Sequence, residues 1–514
     1  MIHRFILNDV KDDGLPFEFT FKNGSWDIRS RHGQQIDHLF SGWGYLHIDN
    51  FSRHQWSVLS PFFRKPDDKS QDKVYHYDLQ KETVLPFERS EEEGLNAGKG
   101  SYGTVFKVKI HAAHCDFDPC SNPNLEFGIK RLERSEEIAF NNEVDTLKRF
   151  SINTNNHLIQ LLATYKWRNS YYLVFPWADK NLQGLWEAIE RPQNSLKLSL
   201  WVARQCHGLA VGLSNIHVYQ SQPQNETGVS TLALPSDEKP YGRHNDIKHE
   251  NVLWFKDHSN DAEEYAGELK ISDFGFVRFN SEGSRSIIPT HNLFTPTYMP
   301  PECALPNHII SRSFDLWSLG CMYLEFVTWL LKGYTAATDD FIDDRIDDCQ
   351  IEEDRRVEVT EFKDDNFFII RDNIVSLKNS VVACIKSLHS HPHCTAYLHD
   401  FLDCIANRLL LPDPTQRISC GDLVRELDGI LQKCQKDEEY CTKGDPRGDY
   451  EIPPRIYSLR PSNKAAISPS ESPAGPAGHL SGRQLQAAAR HAGAKEGSIQ
   501  QRTSDLDMTG LVDG

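Results

Sequence analysis

Two polar stretches contain the residue types that a phosphate-transfer site requires. The first, YGRHNDIKHENVLWF (241–255), has Asp246, Lys248 and Asn251 on a polar segment that precedes apolar residues. The second, LKISDFGFVRF, has Asp273 directly after a β-rich run. Phosphate transfer to a hydroxyl needs an acid that orients the hydroxyl, a cation near the transferred group, and two oxygen ligands for Mg²⁺. The four residues supply these groups in that order along the chain.

A glycine-rich segment lies upstream, LNAGKGSYGTVFKVKI (95–110), with Gly98, Gly100 and Gly103 in G-x-G-x-x-G spacing. Alone this spacing is weak, because dinucleotide folds and flexible loops share it. A dinucleotide loop opens a helix, whereas β-rich residues including Val105 follow here, which predicts a strand–loop–strand hairpin. Glycines let backbone N–H groups approach phosphate oxygens where a Cβ would collide. We therefore expect the hairpin to cover a nucleotide.

Two further charged residues can serve the same site. Lys130 ends the apolar run of EFGIKRL, and Glu143 lies in IAFNNEVDTLKRF, which has helical periodicity and offers an ion-pair partner. Considered singly, both are more simply explained as solvated surface charges. Only their place in the series of motifs favours a functional role.

The aromatic stretch YYLVFPWADKNLQGLW (171–186) ends in a polar break. This pattern predicts a hinge between two lobes, in which backbone groups from Phe175 to Ala178 can pair with a flat ring such as adenine. The alternative is an ordinary buried strand end. Position in the series, rather than composition, favours the hinge.

Composition limits the class of protein. The chain has 514 residues, a formal charge of -17 and a pI near 5.7, which argues against a general nucleic-acid or membrane-surface binder. At ~100–200 residues per domain, two to four domains or one two-lobed domain with extensions are expected.

The twelve cysteines are scattered, which indicates a reducing compartment and hence an intracellular protein of cytoplasm or nucleus. The N-terminus turns acidic too soon for a signal peptide. The longest apolar run, 316–331, contains Glu325 and is shorter than the ~20 residues that cross a bilayer. We therefore expect a buried helix there and no membrane insertion.

Periodicity divides the chain into three zones. Residues 1–90 form an N-terminal extension, 91–434 alternate strand and helix patterns, and 435–514 are rich in Pro, Ser, Gly and Ala, which predicts a disordered tail. Two segments, 221–240 and the acidic run 338–365, are interpreted as insertions and are expected to be surface loops.

Taken in order, GKGSYGTV, GIK, Glu143, HNDIKHEN, SDFG, TPTYMPPE and FDLWSLG resemble the eukaryotic protein kinase superfamily over about residues 91–434. The joint match is specific where each element alone is not. The resemblance implies an α+β, two-lobed fold with a β-rich N-lobe and a helical C-lobe, flanked by an irregular N-terminal extension and the tail. Lys248 and Thr295 resemble the serine/threonine branch, which implies transfer from ATP to Ser/Thr hydroxyls of protein substrates.

The resemblance also implies residue roles. Lys130 would contact phosphates while paired with Glu143, and Asn251 and Asp273 would ligate Mg²⁺. Asp246 would accept the hydroxyl proton. The implied catalytic residues are Asp246, Lys248, Lys130 and Glu143. The implied ATP-binding residues are Gly98, Gly100, Ser101, Gly103, Val105, Lys130, Phe175, Trp177 and Ala178.

Three more positions match the family. Glu302 would pair with Arg417 at the end of the activation segment, and Asp315 would hold the catalytic loop from below. The flanking motifs QWSVL, LPF and IHAAHC more loosely resemble kinases of filamentous fungi.

Four positions depart from the family pattern. Asn245 stands where many kinases have an Arg that binds a phosphate on the activation segment, and His249 stands where most have Pro. Because Asn is neutral, we hypothesise that activity does not depend strictly on phosphorylation of the activation segment, although Ser281, Ser284, Ser286 and Thr290 lie there. Gly128 replaces the usual Ala, and Phe294 replaces the usual Gly. Neither change removes a group that would contact phosphate or metal, but Phe294 is expected to alter the wall beside the substrate and hence substrate preference.

Several alternatives stay open at this point. A catalytically silent pseudokinase that acts as a nucleotide-binding or protein-binding scaffold would keep the fold, although none of its expected residue losses is present. A small-molecule kinase is disfavoured by TPTYMPPE. Two His/Cys clusters, HAAHCDFDPC and HSHPHC, lack matched zinc-ligand halves, so loop residues are the better interpretation. The oligomeric state is not predicted.

Overall fold

The computed structural model describes residues 2–8, 10, 14–66, 74–88, 96–100, 103–117, 126–132, 137–151, 155–218, 240–258, 263–281, 296–304, 310–353, 365–453 and 455–458. Their strands are β1 Glu18–Lys22, β2 Ser25–Arg29, β3 Tyr75–Asp78, β4 Phe87–Glu88, β5 Asn96–Gly100, β6 Gly103–Ile110, β7 Glu126–Leu132, β8 Ala163–Trp167, β9 Ser170–Pro176, β10 Lys180–Asn181, β11 Pro240–Arg243, β12 Val252–Lys256, β13 Gly267–Ile271, β14 Arg278–Ser281, β15 Phe368–Arg371, β16 Ile374–Leu377 and β17 Ile456–Ser458. Their α-helices are α1 Ile2–Leu7, α2 Tyr45–Val58, α3 Glu137–Ser151, α4 Leu182–Ala188, α5 Leu196–His217, α6 Ser313–Lys332, α7 Phe341–Glu353, α8 Asn379–His389, α9 Ala396–Cys404, α10 Cys420–Lys436 and α11 Glu438–Thr442.

The largest sheet of the described chain has seven strands in the order β3-β8-β9-β7-β6-β4, with β5 paired to β6. Only β3 and β8 pair in parallel, and the other neighbours are antiparallel. Apolar residues cover both faces. Leu132 and Leu173 join the main core, whereas Phe127 and Val174 join a separate cluster. The sheet is therefore buried on two sides.

Helix α6 runs through the main core. Every residue from Phe314 to Leu330 is buried, which confirms the buried helix expected from the apolar run. Residues of α5, α8, α9 and α10 pack into the same cluster. Among the described residues, no helix combines the length and apolar character needed to cross a membrane.

The expectation of an irregular N-terminal extension is wrong for its described part. Strands β1 and β2 form an antiparallel hairpin around Asn23 and Gly24, whose φ values of 50° and 81° fit a two-residue turn. Asn-Gly between segments of alternating apolar and polar residues signals a hairpin, which was not predicted here. Phe17, Phe40 and Phe51 pack under the hairpin with α2.

The domain boundary expected at residue 90 stays a prediction, and β3 and β4, which precede it, both belong to the seven-stranded sheet. The expected loop at 338–365 is also partly wrong. Residues 341–353 form α7, in which Phe341 and Arg345 are buried on one face. Asp343 and Asp344 lie in its first turn, where acidic side chains stabilise a helix by interacting with the positive end of its dipole.

The expectation of a disordered tail from residue 435 is wrong for residues 435–453 and 455–458, which include α11 with its buried Cys441 and β17, which pairs with β16. Residues 221–239, 354–364 and 459–514 lie outside the described chain.

We predict opposite effects for two glycine substitutions in helices. A Cβ on Gly320 in α6 would lie 2.7 Å from Leu409 Cβ, whereas one on Gly429 in α10 would meet nothing within 4 Å. Gly320→Ala should lower the free energy of unfolding by about 1–3 kcal/mol through overpacking. Gly429→Ala should raise it by about 0.5–1 kcal/mol, because alanine has less backbone entropy to lose. Urea denaturation would measure both, and equal effects would contradict this packing of α6.

Candidate active site

Lys130 lies between two carboxylates from different elements. Its Nζ is 2.9 Å from Glu143 Oε1 on α3 and 2.9 Å from Asp273 Oδ1, which follows β13. The side chain of Lys130 is only 12% exposed. Burial alone would lower the pKa of Lys130, but the two carboxylates outweigh burial and hold that pKa above its usual value. Lys130 is therefore a fixed positive charge.

Asp273 has an unusual backbone conformation. Its φ of 59° lies in the left-handed region, which Asp adopts more readily than most residues. Burial alone would raise the pKa of Asp273, but Lys130 holds it below its usual value. A Cβ on Gly275 would lie 3.4 Å from Asp273 Oδ1, so the chain passes close to this carboxylate. Asp273 is thus held ionised.

Lys248 and Asn251 both contact the carboxylate of Asp246. Asn251 Nδ2 donates to Asp246 Oδ2 at 2.7 Å and to Asp246 O at 2.9 Å, and Lys248 Nζ is 3.3 Å from Asp246 Oδ2. Both Asn251 bonds use the amide nitrogen, so the amide oxygen is the atom suited to ligate a cation. Ser272 N and Oγ both donate to Asn251 O, which ties this loop to the residue before Asp273.

Asp315, at the start of α6, accepts three hydrogen bonds in full burial. Its Oδ2 accepts from His217 Nε2 and His244 N, and its Oδ1 accepts from Asn245 N, all at 2.8 Å. Burial alone would raise the pKa of Asp315, but the bond from His217 and the other donors hold it low. The expected support of the loop by Asp315 is present. His217 was missed, since nothing near it in sequence marks it.

The loop between His244 and Asp246 has a left-handed turn at Asn245, where φ is 67°. Asn adopts this region several-fold more readily than most residues. The side chain of Asn245 is buried. His244 Nε2 contacts Ser272 O at 3.0 Å, so His244 links the Asp315 support to the strand end that carries Asp273.

The expected pair of Glu302 and Arg417 is present and bidentate, with two N···O distances of 2.7 Å. Both side chains are almost fully buried. Arg417 Nε also donates to Leu411 O at 2.8 Å, and the guanidinium lies over the ring of Trp317. Paired and hydrogen-bonded in this way, both charges are accommodated inside the protein.

The expected strand–loop–strand hairpin is present as β5 and β6. Gly100 pairs with Gly103, and the register shifts between Ala97 and Lys99, at Gly98. Val105 pairs with Lys130 across β6 and β7, which places the hairpin beside the Lys130 ion pairs. Ser101 lies outside the described residues.

The segment expected to act as a hinge begins in β9 and continues beyond it, and its role stays a prediction. Phe175 pairs with Gly128, and Trp177 N donates to Glu126 O at 3.3 Å. The Trp177 ring lies 3.6 Å from where a Cβ on Gly128 would be. Gly128 therefore leaves extra space beside the ring, and Ala178 continues the chain toward β10.

Other expectations concern residues elsewhere. Of the activation-segment positions, Phe294, Thr295, Ser284, Ser286 and Thr290 lie outside the described residues. Within the described chain, no group of three His, Cys, Asp or Glu side chains is arranged to hold a metal ion. In the second histidine cluster, His389 Nδ1 is instead 2.7 Å from His399 Nδ1, and His389 stacks on Tyr450.

The hairpin, the lysine between two carboxylates and the acid-supported loop are the features that the resemblance to protein kinases implies. Residues 241–427 match the family described as "Protein kinase domain". This part of the chain is therefore similar to protein kinase domains, and the chain is distantly similar to cyclin-dependent kinases. The looser resemblance to kinases of filamentous fungi stays a prediction.

Three relatives show this distance. The chain is 28% identical over 236 residues to "Cyclin-dependent kinase 2" of Caenorhabditis elegans, covering 45% of this chain and 52% of the relative. It is 26% identical over 239 residues to "CTD kinase subunit alpha" of Schizosaccharomyces pombe, covering 45% and 32%. It is 26% identical over 243 residues to "Cyclin-dependent kinase-like 4" of Mus musculus, covering 46% and 56%. The chain spans about half or less of these relatives' lengths.

We predict that Asp315→Asn lowers the free energy of unfolding at pH 7 by about 3 kcal/mol, because three buried donors lose a charged acceptor. The folded-state pKa of Asp315 is lowered, so its stabilisation is complete above its unfolded pKa of ~3.9 and is lost as pH falls through the folded value. Urea denaturation should show a constant difference from wild type between about pH 5 and 8. Asp343→Asn, at an exposed position, is the control, and a difference that narrows above about pH 5 would contradict an ionised Asp315.

Proposed function

We propose that the chain is a protein serine/threonine kinase that transfers the γ-phosphate of ATP to Ser or Thr hydroxyls of protein substrates. The observation that carries the proposal is the contact of Lys130 with both Glu143 and Asp273. Phosphate transfer depends on positioned charge more than on covalent chemistry. A lysine fixed between two acids gives one positive charge in a defined place, beside a carboxylate suited to a metal ion.

The phosphate side of the proposed site consists of the β5–β6 hairpin and Lys130. Backbone N–H groups near Gly98, Gly100 and Gly103 would approach the phosphates, and Lys130 would contact them while Glu143 orients it. Val105 and the hinge from Phe175 to Ala178 would hold the adenine. These assignments rest on the family resemblance, together with the hydrogen-bonded position of the hairpin next to Lys130.

The transfer side consists of the loop that Asp315 supports. Asp246 would orient the substrate hydroxyl and accept its proton, and Lys248, 3.3 Å from Asp246 Oδ2, would place a positive charge near the transferred group. Asp273 and the amide oxygen of Asn251 fit as Mg²⁺ ligands, since both are hard oxygen donors held by neighbouring bonds. When bound, Mg²⁺ would neutralise part of the negative charge on the phosphates.

We further propose that the kinase domain extends beyond the matched residues 241–427. The seven-stranded sheet would form a small lobe, and the helices around α6 would form a large lobe. Lys130 and Glu143 come from the former part, and Asp246 and Asp273 come from the latter. Ten described cysteines are free thiols, which supports a reducing, intracellular environment for the proposed enzyme.

We predict that Asp246→Asn and Asp273→Ala each lower phosphate transfer by ~100-fold or more. The assay uses labelled ATP, Mg²⁺ and a mixed Ser/Thr peptide library with purified full-length chain. Asp343→Asn removes an exposed carboxylate outside the site and should keep wild-type activity. If the wild type binds ATP yet labels neither peptide nor itself, the chain is a nucleotide-binding scaffold instead.

We predict that phosphatase treatment leaves at least about half of the transfer activity, because the neutral, buried Asn245 cannot form a guanidinium–phosphate pair. Complete dephosphorylation would be verified by intact-mass measurement before the peptide assay. An inactive dephosphorylated protein that regains full activity when Ser281, Ser284, Ser286 or Thr290 is phosphorylated would refute the hypothesis.

A further inference from the structure

A buried polar network begins at Arg345, on the inner face of α7. Arg345 is 0% exposed, and its guanidinium lies against the rings of both Phe341 and Phe367, 4.2 Å from each centroid. Its NH2 group is 3.4 Å from Glu325 Oε1 on α6, and its Nε donates to Asp365 O at 2.7 Å. The helix from the acidic run therefore brings a positive charge into the core.

The same two partners hold the segment that precedes α6. Tyr298 OH donates to Glu325 Oε2, and Thr297 Oγ1 donates to Asp365 Oδ2 at 2.6 Å. Glu325 and Asp365 thus each contact Arg345 on one side and residues 297–298 on the other. Removal of Arg345 would leave both bridges without their charged anchor.

Electrostatics make the bridge at Glu325 depend on Arg345. Burial raises the pKa of Glu325, and Arg345 acts in the opposite direction. A carboxylate kept out of water is strongly destabilised once its charged partner is removed. Without Arg345, Glu325 would take up a proton or draw in water, and its bond to Tyr298 would change in either case.

Tyr298 also contacts the loop that carries Asp246. The ring of His249 packs edge-on against Tyr298 with centroids 5.7 Å apart, and against Trp186 on α4 at 5.7 Å. His249 follows Lys248 directly in the chain. A shift of Tyr298 would therefore displace the His249 ring and, through the backbone, Lys248 and Asp246.

We propose that Arg345 is a positioning residue that fixes Thr297 and Tyr298 against the Asp246 loop, so that the shape of the protein-substrate side depends on α7. This inference concerns regulation of the site in the proposed function and rests on that proposal for its catalytic consequence. It gives the acidic run a role inside the fold. Its acidic residues Asp343 and Asp344 remain exposed, whereas the one arginine on the same turn is buried.

The test uses the full chain with Arg345→Met, which removes the charge and keeps an unbranched apolar side chain against the two rings. Hydrogen exchange of the backbone amides of residues 297–299 should become at least ~10-fold faster, because their anchors are lost. KM for peptide should rise and kcat/KM should fall by ~10-fold or more, while KM for ATP stays within about two-fold. Asp347→Asn, at an exposed position beyond the first turn of the same helix, should match wild type in every measurement.

Thr297→Val and Tyr298→Phe each remove one hydroxyl of the network and serve if Arg345→Met does not fold. Together they should reproduce the faster exchange at residues 297–299. A folded Arg345→Met protein, or a folded double variant, with unchanged exchange there and unchanged KM for peptide would overturn the proposal. If the wild type transfers no phosphate, the proposed function fails, whereas the exchange measurement still decides whether Arg345 positions this segment.

Discussion

The structure depends most on the carboxylate of Asp315. It lies in complete burial at the start of α6 and accepts bonds from His217, His244 and Asn245. A buried charge is tolerated only when donors surround it, so these bonds fix the helix and the loop relative to each other. His244 continues the connection to Ser272. One buried acidic side chain of α6 thereby positions the polar segment 241–255 and, through His244, the segment that contains Asp273.

The second constraint is the sharing of Lys130 by two acids. An ion pair at the surface would contribute little, but here all three groups are largely shielded from solvent, so their mutual attraction is less screened. These two ion pairs therefore connect β7 with α3 and with the residues after β13. The left-handed backbone of Asp273 is held by the same contacts. In the proposed enzyme, these ion pairs hold the phosphate-binding Lys130 in a defined position relative to the metal ligand Asp273 before any substrate binds.

Charge runs and aromatic extensions were the least predictable parts of the chain. The acidic run was expected to be a solvated loop, yet Phe341 and Arg345 recur at the i, i+4 spacing of a helix face, and this face is buried. The N-terminal extension was expected to be irregular, although Asn23-Gly24 between alternating residues signals a hairpin. In both cases a local pattern existed, but average composition obscured it.

The pairs Lys130–Glu143 and Glu302–Arg417 were expected only from the resemblance of the motifs to protein kinases. The sequence by itself determined the ordered motifs, the buried apolar helix and the glycine hairpin. These follow from local periodicity and from residue types at defined spacing, which the chain carries wherever it folds. Only the tertiary structure decided that His217 supports Asp315, that β3 and β4 complete the main sheet, and that Arg345 reaches Glu325. Those contacts join residues far apart in the chain. Their energies come from burial and desolvation, which no local pattern records.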